Sequence, residues 1–120
     1  MGRVIRTDIG IIDISKDVIA NLAGIATTEC FGIVGMVSSR VISDGWSELL
    51  GRESLSKGVD VIISKDDHLI IQVNIVVSYG NRISVIAANV VDNVKYTVEK
   101  HTGLTVDKVG VHVQGVRIVD

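Results

Sequence analysis

The sequence predicts an α+β fold, a two-layer sandwich with two main helices on one face of a sheet of about four strands. Three observations support this prediction. The 120 residues include 17 isoleucines and 21 valines, β-branched residues that favour strands. Two segments carry apolar residues at helical spacing, and another alternates apolar and polar residues as a hairpin does. The predicted order is βα(α)ββαβ in a single domain, residues 1–120, and it favours a ferredoxin-like topology.

The first strand and the first helix are predicted in the first quarter of the chain. Ile9–Ile14 is a short, mostly apolar run, typical of a strand. Ser15 then offers an N-cap oxygen to a helix over Lys16–Cys30. Gly32 ends this helix, because glycine readily adopts the left-handed conformation. One helical face carries the apolar stripe, which consists of Ile19, Leu22, Ala23, Ala26 and Cys30.

The stretch between this helix and the hairpin, residues 33–57, is rich in glycine, serine and charge, a composition typical of a mobile region. A short helix is predicted within it, beginning near Ser43 and closed by Gly51. Gly45 and Ser47 weaken its helical propensity.

The clearest pattern in the sequence is a β-hairpin. Its first strand has apolar residues at alternate positions from Val59 to Ile63, and a turn is predicted at residues 65–68. The second strand alternates over a longer run, with Leu69, Ile71, Val73, Ile75 and Val77 on one face. Period-2 alternation of this length predicts two antiparallel strands with one core face.

A long helix and a closing strand complete the predicted fold. The helix runs from about Arg82 to Thr102, with Asn81 as its N-cap and Gly103 as its C-terminal glycine. The last strand covers Val106–Val119 and bends at Gly115. The core stripe of the helix consists of Ile83, Ile86, Ala87, Val90, Val91, Val94 and Val98.

The face of the sheet away from the helices is a candidate partner surface. If the odd-numbered residues of the second hairpin strand face the helices, Gln72 and Asn74 face away from them. The same parity places His112 and Gln114 on this face. A solvated sheet surface is the simpler interpretation, but apolar residues among the polar ones favour self-association or a partner. These apolar residues are Ile62, Ile70 and Val76.

The long helix offers a second candidate partner surface. Val85, Asn89 and Tyr96 lie off its core stripe, where a neighbouring protein could pack.

No grouping of residues predicts catalysis. Cys30 lies on an apolar stripe at a helix C-terminus, where the dipole disfavours a thiolate, so a buried structural thiol is predicted. His68, His101 and His112 lack the i, i+3 or i+4 spacing of a metal pair. Neither a dinucleotide fingerprint nor a Walker loop is present. We therefore predict a protein that is not an enzyme and uses no metal or other cofactor.

Two other functions remain open. Gly32-Ile33-Val34-Gly35 has the G-x-x-G spacing with which KH domains clamp a nucleotide backbone, so a KH-like RNA-binding module is the main alternative. Its nearest cations are Lys16 and Arg40. A carrier of a small ligand or lipid headgroup would use residues 33–57 as a lid, with Trp46 and Arg52 nearby.

Charge and targeting signals favour a cytoplasmic protein. A net charge of −2 and a pI near 5.9 give no basic field, so nucleic acid is not an expected partner. Met1–Asp8 lacks the hydrophobic core of a signal peptide. No segment approaches the ~20 apolar residues that span a bilayer.

Several short motifs, in this order and spacing, resemble the alkaline shock protein family of Gram-positive bacteria. Tyr79-Gly80 precedes the long helix, Thr102-Gly103-Leu104 follows it, and Gly115-Val116 lies in the closing strand. Gly32-Ile33-Val34-Gly35 resembles the family's glycine-bearing turn after the first helix. The resemblance covers nearly the whole chain and indicates a compact member without the extended polar tails of other members.

The resemblance implies a non-enzymatic function in cell-envelope stress or homeostasis. It implies a homo-oligomer or a complex with a protein partner, such as a membrane anchor protein or a fatty-acid kinase-like protein. It also implies a cytoplasmic location, with attachment to the membrane only through such a partner. The family supplies no catalytic motif.

Overall fold

The computed structural model describes residues 3–39, 49–64 and 66–118. Its first element is a two-stranded hairpin. β1 (Arg3–Thr7) pairs antiparallel with β2 (Gly10–Ile14), and the two form a sheet of their own. The predicted strand Ile9–Ile14 is therefore found as β2, but outside the main sheet. We call the hairpin β1–β2 the arm.

The first helix follows the arm directly. α1 spans Lys16–Thr28, and the hydroxyl oxygen of Ser15 accepts a hydrogen bond from the Val18 N–H at 3.3 Å, so the predicted N-cap is confirmed. The apolar stripe is also confirmed at its centre, where Ile19 and Ala23 are fully buried.

The main sheet has four strands, arranged around one central strand. β5 (Leu69–Ser78) pairs in parallel with β6 (Val106–Arg117) along one edge. The other edge of β5 is shared: its first half pairs antiparallel with β4 (Val59–Ile63) and its second half with β3 (Ile33–Met36). The predicted hairpin is confirmed as β4–β5. The ferredoxin-like topology is wrong, because the first predicted strand lies in the arm and β3 joins the sheet.

The second helix, α2 (Ile83–Thr102), connects β5 to the parallel strand β6. Gly103 closes it in the left-handed region at φ 77°, as predicted. Asn81 is not the N-cap, because its amide donates to the Ser78 hydroxyl at 2.7 Å and Arg82 occupies the cap position. Four residues of the predicted stripe are fully buried, Ile86, Val90, Val94 and Val98, while Ile83 at the helix start is exposed.

The core lies between the two helices and one face of the sheet, so the two-layer α+β architecture is confirmed. The predicted core face of β5 is fully buried at every position: Leu69, Ile71, Val73, Ile75 and Val77. The corresponding face of β6 is buried less completely than the core face of β5. Its residues Val113 and Val116 lie in register with Ile75 and Val77 yet remain exposed.

The middle of the chain is only partly described. A 3₁₀ segment, Arg52–Gly58, leads into β4 and buries Leu55 against the core. The predicted short helix begins near Ser43, which lies outside the described residues, as does Trp46. The end of the last predicted strand at Val119 lies outside them too.

Candidate functional site

The two helices border a shallow groove of about 480 Å³ on the helical side of the protein. The three residues that follow α1 contribute one wall and the middle of α2 contributes the other. We call it the helix groove; it is lined by Glu29, Cys30, Phe31, Asn89, Asp92, Asn93 and Tyr96. Two of the candidate partner residues, Asn89 and Tyr96, are thus brought together with the residues that follow α1.

Aromatic side chains lie exposed on both walls of the helix groove. Phe31 is 56% exposed and Tyr96 is 61% exposed, although large aromatic surfaces are usually withdrawn from water. The ammonium group of Lys100 lies 5.4 Å from the centre of the Tyr96 ring, within cation–π range. Exposed aromatic surface of this kind is typical of protein contact sites.

The formal charges that line the helix groove are acidic. Glu29 and Asp92 both line it, and no lysine, arginine or histidine among the described residues does. The remaining polar lining is amide, from Asn89 and Asn93. A partner with apolar and basic side chains would complement such a surface.

Cys30 lies in the helix groove as a half-buried, free thiol. Its Sγ donates to the Ala26 carbonyl oxygen at 3.5 Å and accepts from the Asn93 amide at 3.8 Å. Burial is the largest influence on this thiol and raises its pKa, while the Asn93 contact opposes that effect and the Glu29 charge adds to it. A raised pKa leaves little thiolate, so the geometry gives no support to a nucleophile.

The third helix candidate, Val85, does not line the helix groove but lies on the same side of α2 as Asn89 and Tyr96. Val85, Asn89 and Tyr96 are spaced by four and seven residues, so they lie along one side of the helix. All three are exposed. Phe31 was not among the candidate contact residues, because it lies outside the apolar stripe of α1 and next to Gly32, the predicted helix end.

The outer face of the sheet, the face away from the helices, holds the other four candidates in a different setting. Asn74 is only 4% exposed. Its Nδ2 donates to the Gly58 carbonyl oxygen at 3.2 Å, and its Oδ1 accepts from Gln114 Nε2 at 3.1 Å. Gln72 is half-buried, whereas His112 and Gln114 are exposed. The polar residues on this face therefore include a buried structural amide, and only two of the four are well exposed.

The G-x-x-G segment is built into the fold. Gly32 takes a left-handed turn at φ 81°, and its carbonyl oxygen accepts from the Ser78 N–H at 2.9 Å. Gly35 lies within β3, in register with Val76. In the part of the chain that the structure describes, no lysine or arginine lines the shallow depression beside the segment. A backbone clamp needs free N–H groups and cations, so this geometry does not support the KH-like alternative.

The sequence matches the model of the alkaline shock protein 23 family, described as having a "cell envelope-related function", over residues 4–118. The chain belongs to this alkaline shock protein family. It is 48% identical over 116 residues to "Uncharacterized protein YloU" of Bacillus subtilis (strain 168), covering 97% of this chain and 96% of that protein. It is 43% identical over 115 residues to "Uncharacterized protein Spy1614" of Streptococcus pyogenes serotype M6, covering 96% and 94%. No solved structure matches the sequence.

These findings confirm the resemblance to the alkaline shock proteins of Gram-positive bacteria. They place the chain in a family with a cell envelope-related function. A third relative, "Uncharacterized protein YqhY" of Bacillus subtilis (strain 168), is 32% identical over 111 residues, covering 92% of this chain and 80% of that protein.

Two further features of this alkaline shock family member concern metals and membranes. Within residues 3–39, 49–64 and 66–118, no three side chains of His, Cys, Asp and Glu lie grouped as a metal site would need. His68 instead contacts Asp107 at 2.8 Å, between the β4–β5 turn and the start of β6. No helix in the same residues is long and apolar enough to cross a bilayer.

Proposed function

We propose that this alkaline shock family member is a non-enzymatic interaction protein of the envelope stress response, and that it binds a protein partner through the helix groove. The observation that supports this proposal is the pair of exposed aromatic side chains, Phe31 and Tyr96, on opposite walls of one groove. Tyrosine and other aromatic residues contribute most of the binding energy in many interfaces, because they bury a large area at low entropic cost.

The chemistry of the helix groove specifies the kind of partner. An apolar side chain would fill the space between Phe31 and Tyr96, and a nearby lysine or arginine would meet Glu29 and Asp92. An amphipathic helix with a basic edge meets both requirements. We expect such a segment in the partner, which the family resemblance suggests is a membrane anchor protein or a fatty-acid kinase-like protein.

The proposed location follows from the proposed partner. The chain would work in the cytoplasm and would reach the membrane surface only through an anchored protein. Its acidic groove would gain little from the anionic headgroups of the inner leaflet, which attract basic segments instead.

Site-directed photocrosslinking tests the proposal in the bacterium that encodes the chain. A photoreactive residue at Asn89 should give a discrete adduct, to be identified by mass spectrometry. The same residue at Asp66, in the exposed β4–β5 turn, is the control position. The partner is then purified, and its affinity for the chain is measured. Tyr96→Ala should weaken binding by about tenfold or more, the effect of truncating an interface anchor.

A matched control variant distinguishes the contribution of the helix groove to binding from that of the rest of α2. His101 is exposed near the end of the same helix, and His101→Ala should leave the affinity within twofold of the unmodified chain. Equal losses for Tyr96→Ala and His101→Ala, or adducts that form equally from Asn89 and Asp66, would contradict a groove-specific interaction.

A further inference from the structure

The arm forms a sheet of two strands that is not extended by any other strand of the described residues. β1 and β2 pair with each other, and neither pairs with another described strand. A two-stranded hairpin is only marginally stable in water by itself. The arm therefore lacks, within the described residues, what stabilises hairpins elsewhere, namely a third strand or a covering layer.

The arm also exposes apolar residues. Pairing places Ile5 and Ile12 on one face, and Ile12 is 50% exposed. Ile11, on the opposite face, is exposed as well, and so is Ile9 in the turn. Ile14, where the arm joins α1, packs against the core. Exposed aliphatic residues on both faces of one hairpin indicate a surface that another chain covers.

The dimensions of the chain agree with a projecting arm. Its radius of gyration is 14.9 Å and its extents are 53 × 27 × 24 Å. A compact domain of this length has a radius of gyration of about 13.6 Å. Two five-residue strands add roughly 17 Å when they extend from one end.

The second unpartnered element is the outer edge of β6. β6 is twelve residues long and pairs with β5 along one edge, while no described strand pairs with its other edge. Val113 and Val116 leave apolar surface along it, and Val116 is 49% exposed. No formal charge occurs from Val109 to Val116. A long, uncharged, apolar edge is a template for strand addition unless something covers it.

The arm emerges from its own chain on the side away from this edge. The start of α1, from which the arm emerges, shares a cleft with Val59, Asp60 and Val61 of β4. β4 and β6 lie on opposite edges of β5. The projecting element and the open edge are therefore on opposite sides of one molecule.

We infer that the arm of one copy of this chain adds to the β6 edge of a second copy. The two surfaces match in kind, because each is a strand edge bordered by aliphatic side chains. The charges match on the β2 side of the arm. Asp13 is the only charged residue of β2, whereas β1 carries Arg3 and Arg6, and Lys108 precedes the uncharged stretch of β6. The acidic Asp107 at one end already contacts His68 at 2.8 Å.

An arm-to-edge contact is heterologous, because it joins two different surfaces of the same chain. Each copy can therefore bind one copy through its arm and another through its edge, which gives rings or open chains. The inference rests on the proposed function only in that both require protein contact. It uses a surface separate from the helix groove, so either can fail while the other stands.

Complementation between two variants of the full chain tests this arrangement. The arm variant Ile11→Asp/Ile12→Asp keeps an intact edge, and the edge variant Val113→Lys/Val116→Lys keeps an intact arm. All four side chains are exposed, so thermal melts should remain close to that of the unmodified chain. Sedimentation velocity at increasing concentration should show growing assemblies for the unmodified chain and monomers for each variant alone.

Mixing the two variants gives the decisive result. One intact arm and one intact edge remain between them, so the mixture should form a 1:1 dimer that grows no further. Ile25→Lys, at an exposed position in α1 and outside both the arm and β6, should assemble as the unmodified chain does. A monomeric unmodified chain, a mixture that stays monomeric, or a pair of variants that assemble normally would each overturn the inference. So would a monomeric chain that binds lipid vesicles through Ile11 and Ile12.

Discussion

Gln114 and Asn74 are joined by a hydrogen bond of 3.1 Å across the outer face of the sheet, from the amide of Gln114 to the side-chain oxygen of Asn74. The geometry depends on a bulge in β6. Val113 is in register with Ile75 and Gly115 with Val76, so Gln114 is the extra residue. The bulge thus directs an unpaired residue of the edge strand onto a buried amide of the central strand.

Asn74 is expected to contribute to stability far more than its neighbour Gln72 on the same face. Asn74→Ala removes the donor to the buried Gly58 carbonyl group and the acceptor for Gln114. We expect the free energy of unfolding to fall by about 2 kcal/mol, measured by urea denaturation, because a buried polar group loses its partner. Gln72→Ala should change it by less than about 0.5 kcal/mol. A loss for Asn74→Ala that is as small as the loss for Gln72→Ala would show that the two hydrogen bonds of Asn74 contribute little.

Gly32 and Gly80 both adopt left-handed backbone conformations, but only Gly32 is confined by a neighbour. A Cβ at Gly32 would lie 2.5 Å from Cδ1 of Ile86, whereas nothing described lies within 4 Å of one at Gly80. Gly80→Ala should therefore cost only the strain of positive φ, about 1–2 kcal/mol. Gly32→Ala should cost about 3 kcal/mol, since overpacking adds to that strain. Thermal or urea denaturation of both variants tests this, and equal losses would exclude a packing role for Gly32.

The strongest periodic patterns in the sequence predicted local structure and burial together. The alternation along β5 identified five core residues that are all fully buried, and the stripe on α2 identified four more. These segments are long and their apolar residues are mostly β-branched, so secondary structure and core face follow from a single pattern.

The remaining features depend on contacts between distant segments. β3 is four residues long and contains a glycine, so its sequence carries no strand signal; its pairing with β5 determines its conformation. The sequence predicted β2 but not its placement outside the main sheet, because alternation does not encode the neighbour of a strand. Asn74 was assigned to the correct face, yet its burial depends on the Gly58 carbonyl group, which a 3₁₀ segment brings to it.

Cys30 should react slowly with thiol reagents in the folded protein. Burial raises its pKa and limits access, so iodoacetamide at pH 8 should modify it several-fold more slowly than it modifies glutathione. In urea the rate should rise to that of an exposed cysteine. The measurement is mass-spectrometric, and the unfolded chain is the internal control. A folded-state rate above that of glutathione would indicate an activated thiol and would contradict the assignment of Cys30 as structural.

Glu99 joins the end of α2 to the start of β6 and should make stability depend on pH. Its Oε2 accepts from the Val106 N–H at 2.9 Å and from Lys95 Nζ at 3.2 Å. The Val106 hydrogen bond is the largest influence and lowers the pKa of this carboxyl group; the weaker effect of Lys95 has the same sign, and partial burial opposes both. The folded state therefore binds the proton less readily than the unfolded chain does.

A carboxyl group with a lowered pKa stabilises the fold above its unfolded pKa, which is near 4.5, and this contribution disappears as pH falls through the folded value. Glu99→Gln should lower the melting temperature at pH 7 and should flatten its decline between roughly pH 5 and pH 3. Lys95→Met should retain most of that decline, because the Val106 hydrogen bond remains. Melting curves measured across this pH range test the prediction. If the melting temperature of Glu99→Gln declines as steeply as that of the unmodified chain, Glu99 is excluded as a source of the pH dependence.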